Sequence, residues 1–408
     1  MVARILRRRV STPYLEGPNE TFRARRRAAR RRRGRRRLAF ALVALLALAG
    51  FLAGALMGAG DDDAGEAAVS PARTAKAAGA TTRQRAPRPL PDEVRGVHVT
   101  LALASIPGKI REYLDLPGLN TLEVDVKDEN GELAFSAPSS VPLAREIGAA
   151  KGYYAPRRVA TAAHRAGAYL IGRIVVFEDP ILSARKPALA IRTRDGGVWR
   201  NDAGLGWVNP YDERVWDYNV AIGRAAARAG FDEIQFDYVR FPSDGPIENA
   251  VFSEARGRDA GWTIARFVHY AAKRLRPEGV RVSVDVFGLS AARDVGVAQS
   301  PGRLAKFVDA VYPMVYPSHY NEGEYGLASP VSLPGATVAR SLADFKKRMR
   351  GSKAKLIPWL EDFSFTGTVS PEHVRAQITA ARRQRTGGYL LWNPLGEYTA
   401  GALHAGSE

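Results

Sequence analysis

Acidic side chains alternate with apolar ones in several short segments of the sequence. Glu123 and Asp125 alternate with aliphatic residues in LEVDVK, and Gln235 and Asp237 do the same in EIQFDYV. Asp285 has a similar setting in VSVDVF. Period-two alternation places such residues on one face of a β-strand. The carboxyl groups are therefore predicted to share a face, where they could act as acids, bases or nucleophiles.

Other apolar segments end in further polar and aromatic side chains. These are Lys127, Arg173, Arg240, Tyr316, His319, Trp359, Glu361, Asp362, Trp392 and Asn393. A long connecting segment adds Trp199, Trp207, Asn209 and Tyr211, which we expect to form a rim that grips a chain-like substrate. Any one of these residues could cap a turn or pair with a loop arginine. Together, carboxyl groups and aromatic faces favour carbohydrate chemistry, because glycoside hydrolysis uses two carboxyl groups.

Several other chemistries lack the residues they need. The chain has no cysteine, which excludes disulfides, thiolate metal sites and cysteine nucleophiles. Its six histidines form no ligand-spaced motif, and only His319 is expected near the polar strand ends. Neither a serine nucleophile elbow nor a P-loop is present. We therefore expect no metal and no cofactor.

Eight β-rich segments must position these residues. They are 94–104, 120–127, 168–177, 231–239, 280–287, 309–316, 355–361 and 388–394, and helical stretches separate most of them. Eight strand–helix repeats without a glycine-rich phosphate loop predict a (β/α)8 TIM barrel over 93–408, with a doubly wound open sheet as the alternative. The segments that follow strands are long and those that follow helices are short. Barrel enzymes build their sites at the carboxyl ends of strands, so the polar residues above are predicted to meet there.

Motifs at most of the strand ends resemble those of the DUF4015-type glycosyl hydrolase family. They are VDVKDENG (124–131), RIVVFEDP (173–180), GGVWRNDAGLGWVNPY (196–211), GFDEIQFDYVRFPSDG (230–245), VSVDVFGL (282–289), YPMVYPSHY (312–320) and LLWNP (390–394). The resemblance covers roughly residues 94–400. It implies a TIM barrel related to carbohydrate-active barrels, usually on exported or membrane-tethered bacterial proteins.

The resemblance also implies roles for individual residues. Asp237 stands where related barrels place a catalytic carboxylate on the fourth strand, as nucleophile or general base, and Asp285 on the neighbouring strand is the first candidate for general acid. The family's Trp-Leu-Gln-Asp-Phe motif becomes Trp359-Leu-Glu361-Asp362-Phe363 here, which favours Asp362 over Glu361 as a further catalyst. Substrate positioning or pKa tuning is expected of Asp125, Lys127, Arg173, Arg240, Tyr316, His319, Trp392 and Asn393. If Arg240 pairs with Asp237, it would keep that carboxylate ionised.

The N-terminal region predicts a membrane anchor. Residues 38–60 contain no charge and are long enough to cross a bilayer as a helix. Eleven Arg between Arg23 and Arg37 precede them, so 1–37 is expected to be cytoplasmic and the barrel extracytoplasmic. A cleaved signal peptide is the alternative. Residues 61–92 read as a flexible linker.

The same region bears on partners. The formal net charge of +18 comes mostly from residues 1–37, with 15 Arg against two Glu, so the body is not predicted to bind nucleic acid. The Arg run favours anionic lipid headgroups. Gly50, Gly54 and Gly58 have a spacing that allows two membrane helices to pack closely, which makes dimerisation an option.

These features predict a membrane-anchored, single-pass glycoside hydrolase or transglycosidase outside the cytoplasm, acting on cell-wall or extracellular polysaccharide. Two alternatives stay open at this stage. The first is a non-catalytic barrel that binds glycan and organises the envelope. The second is a different reaction on the same scaffold, such as deacetylation or lyase chemistry.

Overall fold

The computed structural model describes residues 86–136, 140–364, 369–399 and 401–404. The predicted tail, the predicted anchor and most of the predicted linker lie outside the described residues, as do Gly50, Gly54 and Gly58. Within the described part of the chain, none of the helices has the length and apolar character needed to span a membrane.

The strands alternate with helices along the chain. In chain order the strands are β1 (Val94–Val99), β2 (Thr121–Lys127), β3 (Tyr169–Val175), β4 (Arg192–Thr193), β5 (Glu233–Asp237), β6 (Ala250–Val251), β7 (Arg281–Phe287), β8 (Ala310–Met314), β9 (Lys355–Leu356), β10 (Trp359–Glu361) and β11 (Gly388–Trp392). The α-helices are Leu101–Ala104, Lys109–Leu114, Pro142–Glu146, Pro156–Arg165, Pro180–Arg185, Glu213–Ala229, Ala260–Leu275, Pro301–Leu304, Pro334–Arg348 and Pro371–Arg383.

The main sheet is parallel and closes on itself. Its strand order is β10-β11-β1-β2-β3-β5-β7-β8-β9, and β10 also pairs with β8 through Trp359 and Met314. β9 and β10 together fill one of the eight positions, separated at Ile357 and Pro358. The amide of Pro358 carries no hydrogen, but its carbonyl still accepts a bond from the Leu390 N–H at 2.9 Å. The predicted (β/α)8 barrel is confirmed, and the open sheet is excluded.

Side chains alternate between two cores. On β2, Leu122 and Val124 pack in the cluster between sheet and helices, whereas on β3 Tyr169 and Ile171 fill the barrel interior. Parallel barrel strands are covered by helices outside and packed side chains inside, so both faces are buried. Near the amino ends the inward Glu233 accepts bonds from the Tyr169 and Ser283 hydroxyls. The largest group of inward polar side chains lies at the carboxyl ends.

The first strand is shorter than predicted. The apolar run from Val94 to Ala104 suggested one strand, but β1 ends at Val99 and Leu101–Ala104 form a helical turn. Thr100 caps this turn, because its hydroxyl accepts a bond from the Leu103 N–H at 3.3 Å. The strand end therefore lies directly after His98 rather than near residue 104.

The segment before β1 lies across the closed end of the barrel, at the amino ends of the strands. Arg88 donates to the Gly167 carbonyl at 3.1 Å and lies 3.9 Å from Asp232, just before β3 and β5 respectively. Its own carbonyl accepts a bond from Arg281, the first residue of β7. Leu90 packs against the interior cluster. The chain thus enters the barrel at the face opposite the polar strand ends.

Candidate active site

The mouth, meaning the barrel opening at the carboxyl ends of the strands, is lined by a layer of polar side chains. The inward residues are His98, Glu123, Asp125, Arg173, Gln235, Asp237, Asp285 and Trp359, and all except Arg173 are buried. The strand register brings them together, because Asp125 pairs with Arg173 across β2 and β3, and Arg173 pairs with Gln235 across β3 and β5. Buried polar groups are costly unless they are partnered. Most of these side chains have partners within the layer, whereas Glu123 Oε1 and Gln235 Oε1 have none among the described residues.

Arg173 joins two carboxylates. Its Nη1 donates to Asp125 Oδ1 at 2.6 Å, while Nη2 and Nε donate to Asp237 Oδ2 at 2.7 and 3.0 Å. The planar guanidinium suits such forked contacts, because its N–H groups have fixed directions. Arg173 rather than Arg240 is therefore the partner of Asp237, which corrects the predicted Arg240 pairing.

The backbone after Asp237 has an unusual conformation. Tyr238 has a φ of 51°, in the left-handed region that residues with side chains rarely adopt. In this conformation the Tyr238 N–H donates to Asp237 Oδ1 at 2.6 Å. Local strain of this kind persists where the surrounding structure holds it, often at functional sites. Asp237 consequently has donors on both of its oxygens.

Asp285 has a different environment from Asp237. Its Oδ1 accepts bonds from Gln235 Nε2 at 2.9 Å and from Trp359 Nε1 at 2.7 Å. Burial, together with repulsion from Asp237, raises the pKa of Asp285 well above its ordinary value. Since both donors occupy Oδ1, the proton of the neutral acid belongs on Oδ2. Asp285 is thus suited to donate a proton at neutral pH.

His98 was not predicted as a site residue from the sequence, whereas Glu123 was predicted on the inward face but given no specific role. The His98 Nδ1 contacts Glu123 Oε2, and its Nε2 lies 3.7 Å from Asp125 Oδ2. The expectation that only His319 would lie near the mouth is therefore wrong. The cause is the overextended first strand, which put His98 in the middle of a strand instead of next to its end.

His98, Glu123 and Asp125 also form a group whose donor atoms lie within 4.8 Å of one another, among the described residues. These donor types can bind a cation. However, the two carboxylates face different ring nitrogens, and a single imidazole cannot present both nitrogens to one ion. Arg173 already supplies positive charge to Asp125. The arrangement fits a positively charged imidazole better than a metal ion.

Aromatic side chains cover the opposite side of the mouth, at the ends of β8, β10 and β11. Tyr316 stacks on Trp392 with ring centroids 5.5 Å apart and planes 27° apart, and Phe363 packs edge-on against both. The ring centroids of His319 and Tyr316 lie 5.2 Å apart. Burial, with Asp285 and Asp237 nearby, raises the pKa of Tyr316 so that its phenol keeps its proton. This aromatic cluster offers a flat apolar surface beside the carboxylates.

Glu361 and Asp362 bind neighbouring loops instead of facing Asp237. Glu361 Oε2 accepts bonds from the Ser318 N–H at 3.0 Å and from the Ser318 hydroxyl, and its Oε1 lies 3.1 Å from His373 Nε2. Asp362 accepts bonds from the Thr399 N–H at 2.7 Å and hydroxyl at 2.6 Å. Burial raises the pKa of Asp362 despite these bonds.

Asn393 belongs to the same loop-holding set. Its Nδ2 donates to the Asp362 carbonyl at 2.5 Å, and its Oδ1 accepts a bond from the Leu395 N–H at 2.8 Å. Both polar atoms of the amide are therefore used within the protein. The structure brings Asn393 to the mouth but gives it the contacts of a turn-stabilising residue.

Lys127 leaves the predicted face. A register shift between Asp125 and Lys127 breaks the period-two pattern at the end of β2. The Lys127 ammonium is completely buried and forms an ion pair with Asp179 at 2.6 Å. It also donates a hydrogen bond to Asn219 of the helix Glu213–Ala229 at 3.1 Å. The alternation argument fails here because a bulge turns the side chain towards the helices.

The predicted substrate-gripping rim is also wrong. Trp199, Trp207, Asn209 and Tyr211 are buried within their own loop. Asn209 caps its turn by accepting a bond from the Tyr211 N–H at 3.1 Å. Arg240 stacks over the Trp207 ring at 4.9 Å and donates to the Phe241 carbonyl. These residues form a small core that supports the loop, rather than an exposed binding surface.

The comparisons with known proteins agree with this geometry. A family model described as "DUF4015: Putative glycosyl hydrolase domain" matches residues 96–398. The chain belongs to this family. The family resemblance inferred from the sequence is thereby confirmed, and as a member the barrel is a glycosidase-type enzyme domain.

Two solved structures illustrate the likeness. A hypothetical protein from Ruminiclostridium thermocellum ATCC 27405 is 36% identical, with a TM-score of 0.43, over 47% of this chain and 97% of that chain. The PgaB (BpsB) glycoside hydrolase domain from Bordetella bronchiseptica is 14% identical, with a TM-score of 0.51, over 74% of this chain and 94% of that chain. The second likeness concerns the fold alone. No match was found among the curated proteins.

Proposed function

We propose that the barrel cleaves or transfers glycosidic bonds of a polysaccharide, with Asp285 as general acid and Asp237 as nucleophile or general base. The observation that carries this assignment is the contrast between the two carboxyl groups. Asp285 is buried, with two donors on one oxygen and a raised pKa. Asp237 accepts two hydrogen bonds from Arg173 and one from the Tyr238 N–H. Carboxyl groups whose environments differ in this way define acid and base.

In the proposed mechanism, Asp285 Oδ2 gives its proton to the oxygen that leaves the sugar. Asp237 either takes a proton from the water that attacks the anomeric carbon or attacks that carbon itself. In the second case, water or an acceptor sugar, deprotonated by Asp285, then breaks the bond between Asp237 and the sugar. Arg173 fixes the direction of the Asp237 carboxylate through its forked contact. Gln235 and Trp359 hold the acid in place through Oδ1.

The aromatic cluster is proposed to bind the sugar. Trp392 is partly exposed and stacks on the more deeply buried Tyr316, so one face of the pair is held by the protein. Aromatic faces pack on the apolar side of pyranose rings. Replacing Trp392 with Ala should weaken glycan binding in isothermal titration, and unchanged affinity would contradict this role.

The substrate is proposed to be cell-wall or extracellular polysaccharide. This rests on the predicted anchor at residues 38–60 and the arginines before it, which favour a cytoplasmic N-terminus and an exported barrel. Protease treatment of intact cells and of inverted vesicles tests the topology. Degradation of the barrel in inverted vesicles only would show that it is cytoplasmic and would reject the proposal.

The activity is tested by incubating the full-length chain with purified cell-wall and exopolysaccharide fractions and following the products by mass spectrometry. Asp237→Asn serves as the matched control. New oligosaccharides from the wild type only are the expected result. Binding without cleavage by either protein would instead favour a non-catalytic glycan-binding barrel.

A further inference from the structure

His98 lies at the start of a chain of alternating charges that ends at Asp237. It is buried on β1 and pairs in register with Glu123 on β2. Asp125, two residues further along β2, contacts both the His98 ring and Arg173. Arg173 in turn holds Asp237. The sequence of contacts is therefore Glu123, His98, Asp125, Arg173 and Asp237.

Both ring nitrogens of His98 face carboxylates. Nδ1 contacts Glu123 Oε2, and Nε2 lies 3.7 Å from Asp125 Oδ2. A neutral ring has only one N–H, so it would present a lone pair to one of the two negative groups. The other oxygen of Glu123, Oε1, is buried and has no hydrogen-bond partner among the described residues. Burial raises the pKa of Glu123, and the His98 ring opposes this rise, so the charge of Glu123 depends on His98 for its compensation.

The remaining surroundings of His98 are accounted for. The positive charge of Arg173 on β3 lowers the pKa of His98, and the Trp359 ring packs edge-on with ring centroids 6.2 Å apart. The Tyr398 hydroxyl bonds both the His98 N–H and its carbonyl. Burial opposes the charge, but Glu123 and Asp125 outweigh it and raise the pKa of His98 above its ordinary value.

We propose that His98 is a positioning residue for the reaction, which acts through Asp125 and Arg173 to fix the direction of the Asp237 carboxylate. Its charged ring anchors Asp125, so that Asp125 presents one oxygen to Arg173 and leaves the rest of the guanidinium to Asp237. The role of Asp237 in this statement rests on the proposed function. The contacts themselves do not.

The first test reads the geometry without substrate. Full-length protein labelled with 15N at histidine and arginine is compared with His98→Gln by NMR. We expect a doubly protonated His98 ring at pH 7 in the wild type. In the variant, hydrogen exchange at Arg173 Nε should be about tenfold faster, as for the loss of one net hydrogen bond. A neutral His98 ring, or unchanged exchange at Arg173, would overturn the proposal.

His164→Gln is the matched control. His164 also contacts a carboxylate, Asp232, at 3.0 Å, but it lies at the closed end of the barrel. This variant should leave exchange at Arg173 unchanged. If His98→Gln fails to fold, Glu123→Gln replaces it and should reduce the doubly protonated fraction of His98 at pH 7. An undiminished fraction would contradict the positioning role of His98.

The second test uses the polysaccharide fraction that the wild type cleaves. In His98→Gln we expect kcat to fall about 10–100-fold, the scale for a misdirected catalytic group, with little change in KM. An unchanged kcat would overturn the positioning role. If the wild type cleaves nothing, the proposed function fails while the NMR result still decides the proposal. A shift of the His98 signals on adding Zn²⁺, reversed by EDTA, would replace the proposal with a metal site.

Discussion

The carboxyl ends of β5 and β7 and the carboxyl end of β10 look alike in sequence but differ in structure. Each carries acidic residues after an apolar segment. Asp237 and Asp285 contact side chains of neighbouring strands inside the barrel. Glu361 and Asp362 accept bonds largely from loop groups, namely Ser318 and Thr399.

We propose that the type of hydrogen-bond partner distinguishes the catalytic from the structural carboxylates at this barrel mouth. A carboxylate held by strand side chains has a fixed direction and stays next to the opening. One whose oxygens are held mainly by groups of neighbouring loops stabilises those loops. Four substitutions test this division.

Asp237→Asn should have the largest effect. The amide cannot act as nucleophile or base, so turnover should fall about 10⁴-fold, the scale for losing one member of a catalytic set. Glycan binding should persist. Oligosaccharide release measures turnover, and isothermal titration measures glycan binding. Normal turnover in this variant would show that Asp237 is not catalytic. The proposed difference between Asp237 and the carboxylates of β10 would then be wrong.

Asp285→Asn should lower turnover by about 10²–10⁴-fold, the usual contribution of a general acid. The wild-type rate should fall as pH rises through the raised pKa of Asp285, because only the protonated form can donate. That alkaline limb should be missing in the variant. A pH profile of kcat/KM checks this, and an identical limb in both proteins would assign it to another group.

The same substitution also makes a stability prediction. Folded Asp285 binds its proton more tightly than the unfolded chain does, so wild-type stability should decline as pH rises from the ordinary Asp range towards the folded pKa. The Asn variant should lack this decline. Melting temperatures measured from acid to neutral pH provide the comparison, and parallel curves would contradict it.

Arg173→Lys should lower kcat about 10–100-fold, since an ammonium cannot hold Asp125 and Asp237 in the forked geometry and the reacting group loses its orientation. Arg228→Lys is the matched control, because Arg228 makes a forked contact with Glu278 at an exposed site. The control should behave like the wild type. Equal losses in both variants would point to a general effect of the substitution.

Asp362→Asn should have the smallest effect on turnover. Loss of good acceptors for the Thr399 N–H and hydroxyl should lower the free energy of unfolding by about 1–3 kcal/mol. The kcat per folded molecule should change less than about threefold, because we expect Asp362 to take no part in the chemistry. Denaturant unfolding and activity on the folded fraction measure the two. A large loss of kcat would show that Asp362 takes part in catalysis.

The sequence was informative wherever periodicity continued without interruption. The eight strand positions, the inward direction of Asp125, Asp237 and Asp285, and the aromatic pair Tyr316 and Trp392 follow from alternation and from the rule that strand carboxyl ends meet. These features depend on local pattern alone. They could therefore be predicted without coordinates.

The failures occurred where tertiary contacts override the pattern. A bulge turns Lys127 outward, and a capped helical turn shortens β1 and moves its end next to His98. The tryptophans of the long loop are buried by residues far along the chain, as in the Trp199 bond to the Pro246 carbonyl. None of these arrangements has a signature in residue spacing.

The route of the chain before β1 has a practical consequence. The segment around Arg88 and Leu90 lies across the closed end of the barrel. A group fused directly before this segment is therefore attached on the side opposite the mouth. A protein immobilised on a bead through its N-terminus should therefore present the opening to the medium.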